Sequence, residues 1–559
     1  MPAYDDKSLY EALKELGVID PKVLFEKFEE ARNQKTSFED LLLKNDLIGD
    51  GDLGKVISGI LGVPLVRLSE IAITDEVLNI LPEVVARNYW AITFKKDADG
   101  ISLATSNPPN ETIKNYIVKK TSAGVKVFFA TKRDIEEAFN KYTKDITTAF
   151  QKVMAENIQK FQGSQKNELP IEEITGTIIS YAYENKASDI HIEPQEENSL
   201  VRYRIDGVLH DIVSIPKNLH GQIVNRIKVL SKLRTDEHLS AQDGKMIFKT
   251  PKENLDLRVS IVPVVSGEKA VLRLLSERSR QFGLADLGIS TENMAKITSA
   301  YQSPNGMILA TGPTGCGKTT TLYAILKILN KRGVNIMTIE DPVEYDIEGV
   351  NQIQVNSKTN LTFAEGLKSV VRQDPDIILL GEIRDAESAG IAVNSALTGH
   401  LVLSTLHTND AATTFPRLLD FNVEPFLIGS TVRVVIAQRL VRKICPACRV
   451  STPTTITQIK QRLDRSEVDK AFATTSQPAL YHGKGCPVCF NSGYVERIGI
   501  FEVLPVDDDI RQAISEKKDS SLIAQTAVKN GMKTLLEDGL EKVKNGITTI
   551  EEVIRVTKE

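Results

Sequence analysis

Residues 307–320, MILATGPTGCGKTT, constrain this chain more than any other stretch. Met307 to Thr311 read as a buried strand. Gly312, Pro313, Thr314, Gly315, Cys316, Gly317, Lys318 and Thr319 then complete a G-x-x-x-x-G-K-[ST] pattern, and Thr320 leads into the helix formers Thr321 to Lys327. Strand, loop and helix come in the order that phosphate binding requires, which an ordinary Gly-rich turn would not need. The glycines let backbone N–H groups close around a phosphate, and the helix start adds the positive end of its dipole. Lys318 is placed to reach the β- and γ-phosphates of ATP, and the Thr319 hydroxyl to ligate Mg²⁺. Cys316 stands where serine is expected. Only its backbone amide is predicted to face the phosphate.

A chain of 559 residues must hold several domains around that loop. The net charge of −5, without an obvious basic stripe, argues against a nucleic-acid partner. No apolar run approaches the ~18–20 residues of a membrane span, and the start, MPAYDDKSLY, lacks the features of a secretory signal. A cytoplasmic protein is expected. Four of the five cysteines form two C-x-x-C pairs, which in a reducing compartment points to metal.

Residues 1–143 are expected to form an adaptor domain. It opens on a weak repeat at an offset of 29, with Leu13 matching Leu42, Ile19 matching Ile48 and Leu24 matching Leu53. Each copy reads as helix, turn, helix, and two copies could bury one shared apolar face. AITFKK, ISLAT and VKVFFA follow as strands. The polar stretch 144–169 reads as a linker. Residues 170–280 read as a second domain, a helix followed by the alternating strands SDIHIEP, SLVRYRIDGVLHDIV and LDLRVSIVPVV. Arg202, Arg204, Arg258 and Arg273 recur there. Spacing alone leaves them either on a solvated sheet face or reaching for phosphates.

Residues 281–559 read as the C-terminal domain, and within it 281–442 alternate strand and helix as a parallel sheet wants. IMTIEDPVEY ends in Glu340, Asp341 and Glu344; DPDIILLGEIRD ends in Glu382, Arg384 and Asp385; TGHLVLSTLHTND carries His400 and His407. Ligands sit at the carboxyl ends of such strands, so these acids and histidines are expected to converge on the phosphate loop. One carboxylate would serve Mg²⁺ and another would orient water, while each histidine is either catalyst or structural hydrogen-bond donor. Cys445 and Cys448, then Cys486 and Cys489, suit a closed tetrahedral Zn²⁺ site in segment 445–489, with a redox pair or a degraded site as the other readings. ITQIKQRLDRSEVDKAF between them reads as a helix, and 501–559 reads as helices packed on the core.

Together GPTGCGKTTTLYA, TIEDPVEY, RQDPDIILLGEIRD, TGHLVLSTLHTN and AQRLVRKICPAC resemble successive motifs of the secretion-superfamily ATPases, which drive type II secretion and type IV pilus assembly. SDIHIEP, VRYRIDGVL and GCPVCFNSGYVERIGIFEVL are similar to further signatures, so the resemblance covers 170–559. It implies an α/β protein with a RecA-like phosphate-loop core, preceded by a PAS-like α/β domain and an α-rich N-terminal adaptor. It also implies a tetracysteine zinc insertion and a homohexamer. By resemblance Lys318 and Thr319 are the phosphate-loop pair, Glu344 the water-orienting acid, Glu382 the Mg²⁺-side glutamate and His407 the histidine-box residue with His400 its companion. Arg258 and Arg273 match arginines that bridge to nucleotide, and Arg372 and Arg384 match others near the site.

The chain departs from that pattern at HLSAQDGK (238–245), which lacks an Arg and a Pro, and at Lys368, where Arg is usual. The N-terminal repeats resemble an adaptor that in some members binds cyclic di-GMP through Arg-Leu-Gly motifs. Here the equivalents begin Ser-Leu-Tyr and Ser-Phe-Glu, so that ligand is not expected. The resemblance implies a motor on an inner-membrane platform protein, with other inner-membrane components of the machine as further partners. Type IV pilus assembly is the first expectation and type II secretion the alternative. A nucleic-acid motor and a non-hydrolysing scaffold are the rival classes.

Overall fold

The computed structural model describes residues 4–139, 171–275, 283–460 and 478–558 apart from 35, 46, 72, 98–99, 109–110, 122, 251–252 and 455, together with 468 and 472. The expected linker 144–169 and most of the helix expected at 456–472 lie outside the described residues. The chain divides into two compact units, Thr143–Gln281 and the union of Met1–Tyr142 with Phe282–Glu559.

The N-terminal repeat folds as four helices, Asp6–Leu16, Pro21–Gln34, Phe38–Lys44 and Asp50–Leu61. The Asp5 and Ser37 side chains accept the N–H groups of Ser8 and Asp40, capping the first and third helices. Leu13, Leu24, Leu42 and Leu53 are buried in one cluster with Ile19, so the matched positions share the apolar face that the repeat requires. After them β1 (Ala91–Asp97), β2 (Gly100–Thr105) and β3 (Val125–Phe129) form a small mixed sheet. Arg133 pairs with Asp286 at 3.3 Å, joining this region to the start of the C-terminal part.

In the unit Thr143–Gln281, six antiparallel strands run in the order β6-β5-β4-β9-β8-β7: β4 (Asp189–Pro194), β5 (Asn198–Ile205), β6 (Val208–Pro216), β7 (Gln242–Lys249), β8 (Asn254–Val264) and β9 (Gly267–Leu275). Helices Ile171–Glu184 and Lys217–Leu230 accompany the sheet, and the Tyr203 hydroxyl donates to the Ile178 carbonyl at 2.6 Å. The strand alternation puts Ile190, Ile192, Val201, Leu257 and Leu272 in the core. The arginines fall on the more polar side. Arg204, Asp189, Arg273, Arg258 and Lys245 lie opposite one another across β5, β4, β9, β8 and β7. Asp189 takes Arg273 at 2.9 Å and Arg204 at 3.6 Å, while Arg202 pairs with Asp211 and Glu193.

The C-terminal sheet has the order β12-β11-β13-β14-β10-β15-β18, built from β10 (Gly306–Thr311), β11 (Ile336–Glu340), β12 (Val350–Gln354), β13 (Ile377–Leu380), β14 (Leu401–Leu406), β15 (Val432–Ile444) and β18 (Tyr494–Pro505). A two-stranded ribbon of β16 (Arg449–Pro453) and β17 (Ala479–Gly483) lies between β15 and β18 in sequence. Every pairing in the large sheet is parallel except β15 with β18. β10, β11, β13 and β14 are buried along their whole length, as a parallel sheet covered on both faces demands. Phe501 to Pro505 belong to β18 rather than to the helical tail expected from 501. Their alternation buries Phe501 and Val503 in one core layer and Leu504 in the other. The remaining tail is helical, over Asp508–Ser515, Ser520–Lys529, Leu535–Lys544 and Ile550–Thr557.

Candidate active site

β10 lies between β14 and β15, so the loop leaving its carboxyl end emerges in mid-sheet. Gly312 has φ 142° and Gly317 φ 93°. A Cβ at Gly312 would lie 2.6 Å from the Cys316 sulfur and from the Gln438 carbonyl oxygen. One at Gly317 would lie 2.7 Å from Gln438 Nε2, so only glycine fits either place. Cys316 is buried against this turn, and burial pushes its thiol pKa up. Pro313, Thr314 and Gly315 are exposed at the rim, and Thr319 and Thr320 are half-buried at the start of the helix Lys318–Leu329. Lys318 Nζ donates to the carbonyls of Gly312 at 2.7 Å and Pro313 at 3.1 Å. Burial lowers its pKa, opposed by the charge of Glu382.

Glu382 follows β13 on the same edge. One carboxylate oxygen accepts from Arg384 and the other lies 3.2 Å from His407 Nε2, just beyond β14. Burial alone would raise its pKa, but Arg384 and His407 outweigh that and hold it below the usual carboxylate range. Arg384 also reaches Asp341 at 3.5 Å. The half-buried Glu382 carboxylate, whose charge acts on Lys318, and the half-buried Thr319 hydroxyl are the hard oxygen donors that Mg²⁺ prefers, so the residue types fit that ion.

Several of the expected residues do not join this group. His400 stands at the opposite edge, before the first residue of β14, where its Nδ1 lies 2.9 Å from the Ser395 carbonyl. The six residues of β14 separate it from His407 by roughly 20 Å. Arg372 precedes β13 at that same far edge and donates to Ser369. Asp385 caps the helix Ala386–Leu397 through the N–H of Ser388. Glu340 is buried at the end of β11 and bonded to Tyr323 and Thr338. Glu344, beyond it, is half-buried. Arg258 and Arg273 sit side by side in β8 and β9 of the other unit.

Sequence reasoning missed β15 and Glu502. Gln438, from β15, accepts from Thr321 at 2.6 Å and packs under Gly317. The buried Arg439 donates to the Asn409 carbonyl at 2.7 Å, tying the turn after His407 to the loop's floor. Glu502 on β18 accepts the Ala411 N–H at 2.9 Å, and its pKa is pushed up to about 7, chiefly by burial, with Asp410 adding to it. Between the ordinary value of 4.5 and about 7 the folded state holds a proton that the unfolded state releases. Stability therefore falls as pH rises across that window, by about 3 kcal/mol from this group. Glu502→Gln is expected to remove this loss, so that urea midpoints favour the variant more at pH 8 than at pH 5. A difference independent of pH would refute the assignment.

At the far end of β15 the four thiols close up. Cys445 and Cys486 sulfurs are 3.8 Å apart, Cys448 and Cys489 3.9 Å, Cys486 and Cys489 3.6 Å. Four sulfurs about 2.3 Å from one tetrahedral ion would lie about 3.8 Å from each other, so the cluster fits Zn²⁺. Backbone N–H groups of Cys486 and Gly493 donate to the Cys489 sulfur, which favours its thiolate. Burial and the neighbouring thiols push Cys445 and Cys448 up, a strain that a dication would relieve.

Comparison with known proteins adds three findings. The model of the type II/IV secretion system protein family matches residues 164–555, and that of the MshEN domain matches 61–149. The chain is 35% identical over 540 residues to the type IV pilus assembly ATPase PilB of Myxococcus xanthus, spanning 94% of each chain. It is 46% identical over 394 residues to type II secretion system protein E of Dickeya dadantii, spanning 70% of this chain and 77% of that one. Among solved structures, the ATPase DotB of Legionella pneumophila is similar in fold, with a TM-score of 0.51 at 21% identity over 69% of this chain and 95% of DotB.

Proposed function

The chain belongs to the type II/IV secretion system protein family, and on that ground we propose that it is a homohexameric motor that hydrolyses ATP to ADP and phosphate to drive type IV pilus assembly. The observation that carries the reading is the meeting of Lys318, Glu382 and His407 at one sheet edge under an intact phosphate loop. The backbone from Gly312 to Thr320 wraps the phosphates, and Lys318 leaves the loop carbonyls to engage the β- and γ-phosphates. Thr319 and Glu382 would hold Mg²⁺, which when bound neutralises phosphate charge. Glu344 orients a water and takes its proton as the water oxygen attacks the γ-phosphorus and the bond to ADP breaks. His407 steadies Glu382.

Pilus assembly is preferred over type II secretion because the similarity to a pilus assembly ATPase runs through 94% of both chains, the N-terminal region included. No helix among the described residues is long and apolar enough to cross a membrane. The proposed place of work is the cytoplasmic side of the inner membrane, reached through a platform protein. The four cysteines are proposed as a structural Zn²⁺ site.

Glu382→Ala is expected to keep ATP binding while lowering turnover by about 10²-fold or more, read as phosphate release against nucleotide titration. Normal hydrolysis in that variant would remove the role given to Glu382. Cells carrying the variant should lose surface pili and still export proteins. Loss of export with pili intact would favour the type II alternative.

A further inference from the structure

The buried Glu340 belongs to a polar cluster beneath the segment that carries Glu344. Tyr323, on the helix that starts at Lys318, is almost completely buried, and its hydroxyl donates to the Glu340 carboxylate. The same hydroxyl oxygen accepts from Gln352 Nε2 at 3.3 Å. Thr338 donates to Glu340 at 2.6 Å and Gln352 Nε2 at 3.2 Å. Gln352 also reaches the Tyr345 carbonyl at 3.2 Å and accepts the Ile347 N–H at 2.7 Å. The Tyr323 and Tyr345 rings meet edge to face with centroids 4.8 Å apart.

A buried carboxylate is costly unless hydrogen-bonded, and this one is met by the donors of three residues. The Glu340 charge and burial together push the Tyr323 phenol far above its ordinary range, so it stays a permanent O–H donor. The hydroxyl is therefore oriented in one way, donating to Glu340 and accepting from Gln352. The segment 341–347 is tied to Tyr323 just beyond Glu344, by the ring contact with Tyr345 and through Gln352, which donates to the hydroxyl and binds Tyr345 and Ile347.

We propose that Tyr323 is a positioning residue for Glu344: it fixes the segment that carries the water-orienting acid to the helix whose first residue, Lys318, holds the phosphates. The acid and the phosphate-binding lysine are thereby set on one rigid frame, and ATP turnover depends on the Tyr323 hydroxyl through Glu344 alone. This rests on the role proposed above for Glu344.

The test is steady-state ATPase kinetics of the full chain with Tyr323→Phe, Glu344→Gln and the double variant, beside nucleotide binding and melting midpoints. Tyr323→Phe is expected to lower kcat about 10-fold with KM within about twofold of wild type. In the Glu344→Gln background it should lower kcat no further, because the group it positions is already gone. Wild-type kcat in Tyr323→Phe, or effects that multiply in the double variant, would overturn the inference and leave the Glu344 role standing. Wild-type turnover in Glu344→Gln would overturn that role itself. Should Tyr323→Phe fail to fold, Gln352→Ala takes its place. It cuts the link from the Tyr323 hydroxyl to the segment, and a kcat at the wild-type level would equally defeat the proposal.

Discussion

Lys318→Ala is expected to reduce ATP hydrolysis at least about 10²–10³-fold, the scale on which one lost charge contact at a reacting group is felt. The side chain serves two states of the loop. In this structure its ammonium bridges the Gly312 and Pro313 carbonyls; in the proposed reaction it turns to the phosphates. Truncation removes the cation from the transition state and also leaves two carbonyls of a tight turn without their donor. Binding and chemistry should both suffer, so a fluorescent ATP analogue should titrate weakly and phosphate release should fall to background. Lys318→Arg tests shape separately from charge, since a planar guanidinium does not reproduce a compact ammonium there. Turnover within a few-fold of wild type in Lys318→Ala would end the phosphate-loop assignment.

The second large effect is expected at the thiol cluster. Cys445→Ser should abolish stoichiometric zinc in elemental analysis, because a closed four-sulfur site has no spare ligand. Structural zinc sites carry apparent binding energies of about 10 kcal/mol or more, and that energy is folding energy. The loss should spread beyond the cluster. The Ile444 N–H donates to Ile547 at 2.8 Å, the Thr548 hydroxyl to the Arg442 carbonyl at 2.8 Å, and Arg442 pairs with Glu552 at 2.5 Å. Helices Leu535–Lys544 and Ile550–Thr557 hang from these bonds, so limited proteolysis should cut the variant within 535–558 while the wild type resists. Strong chelation of the wild type should reproduce the pattern. Unchanged metal content in Cys445→Ser would remove the zinc claim.

Local chemistry was legible in the sequence, and long-range pairing was not. The phosphate loop could be read because its strand, glycines and helix are contiguous, and the thiols because two C-x-x-C turns announce themselves. The N-terminal repeat was legible through Leu13, Leu24, Leu42 and Leu53, whose spacing survives as burial. β15 was not, since Arg433, Gln438, Arg439, Arg442 and Lys443 interrupt the apolar pattern by which a strand is recognised. Gln438 and Arg439 are buried because the turn above them supplies partners, and a one-dimensional pattern cannot show that. Grouping His400 with His407 ignored the strand between them: residues before and after one β-strand lie on opposite edges. Glu340 and Glu344 looked equivalent as acids after β11, yet the first closes a buried network and the second lies beyond it.

β15 also has a consequence for chain length. One strand carries Gln438 beneath the phosphate loop and runs on, with a single register irregularity against β18 between Arg442 and Ile444, to the residue next to the first thiol. Side chains in a strand alternate between faces, so the spacing from Gln438 to Cys445 is a fixed quantity of the fold. A single residue inserted after Arg439 would turn every later side chain of the strand to the wrong side, carrying Arg442 away from Glu552 and Cys445 away from its three companions. Two sites with unrelated chemistry are thereby locked into one reading frame. Loops elsewhere in the chain can grow or shrink, but this stretch has to keep its count.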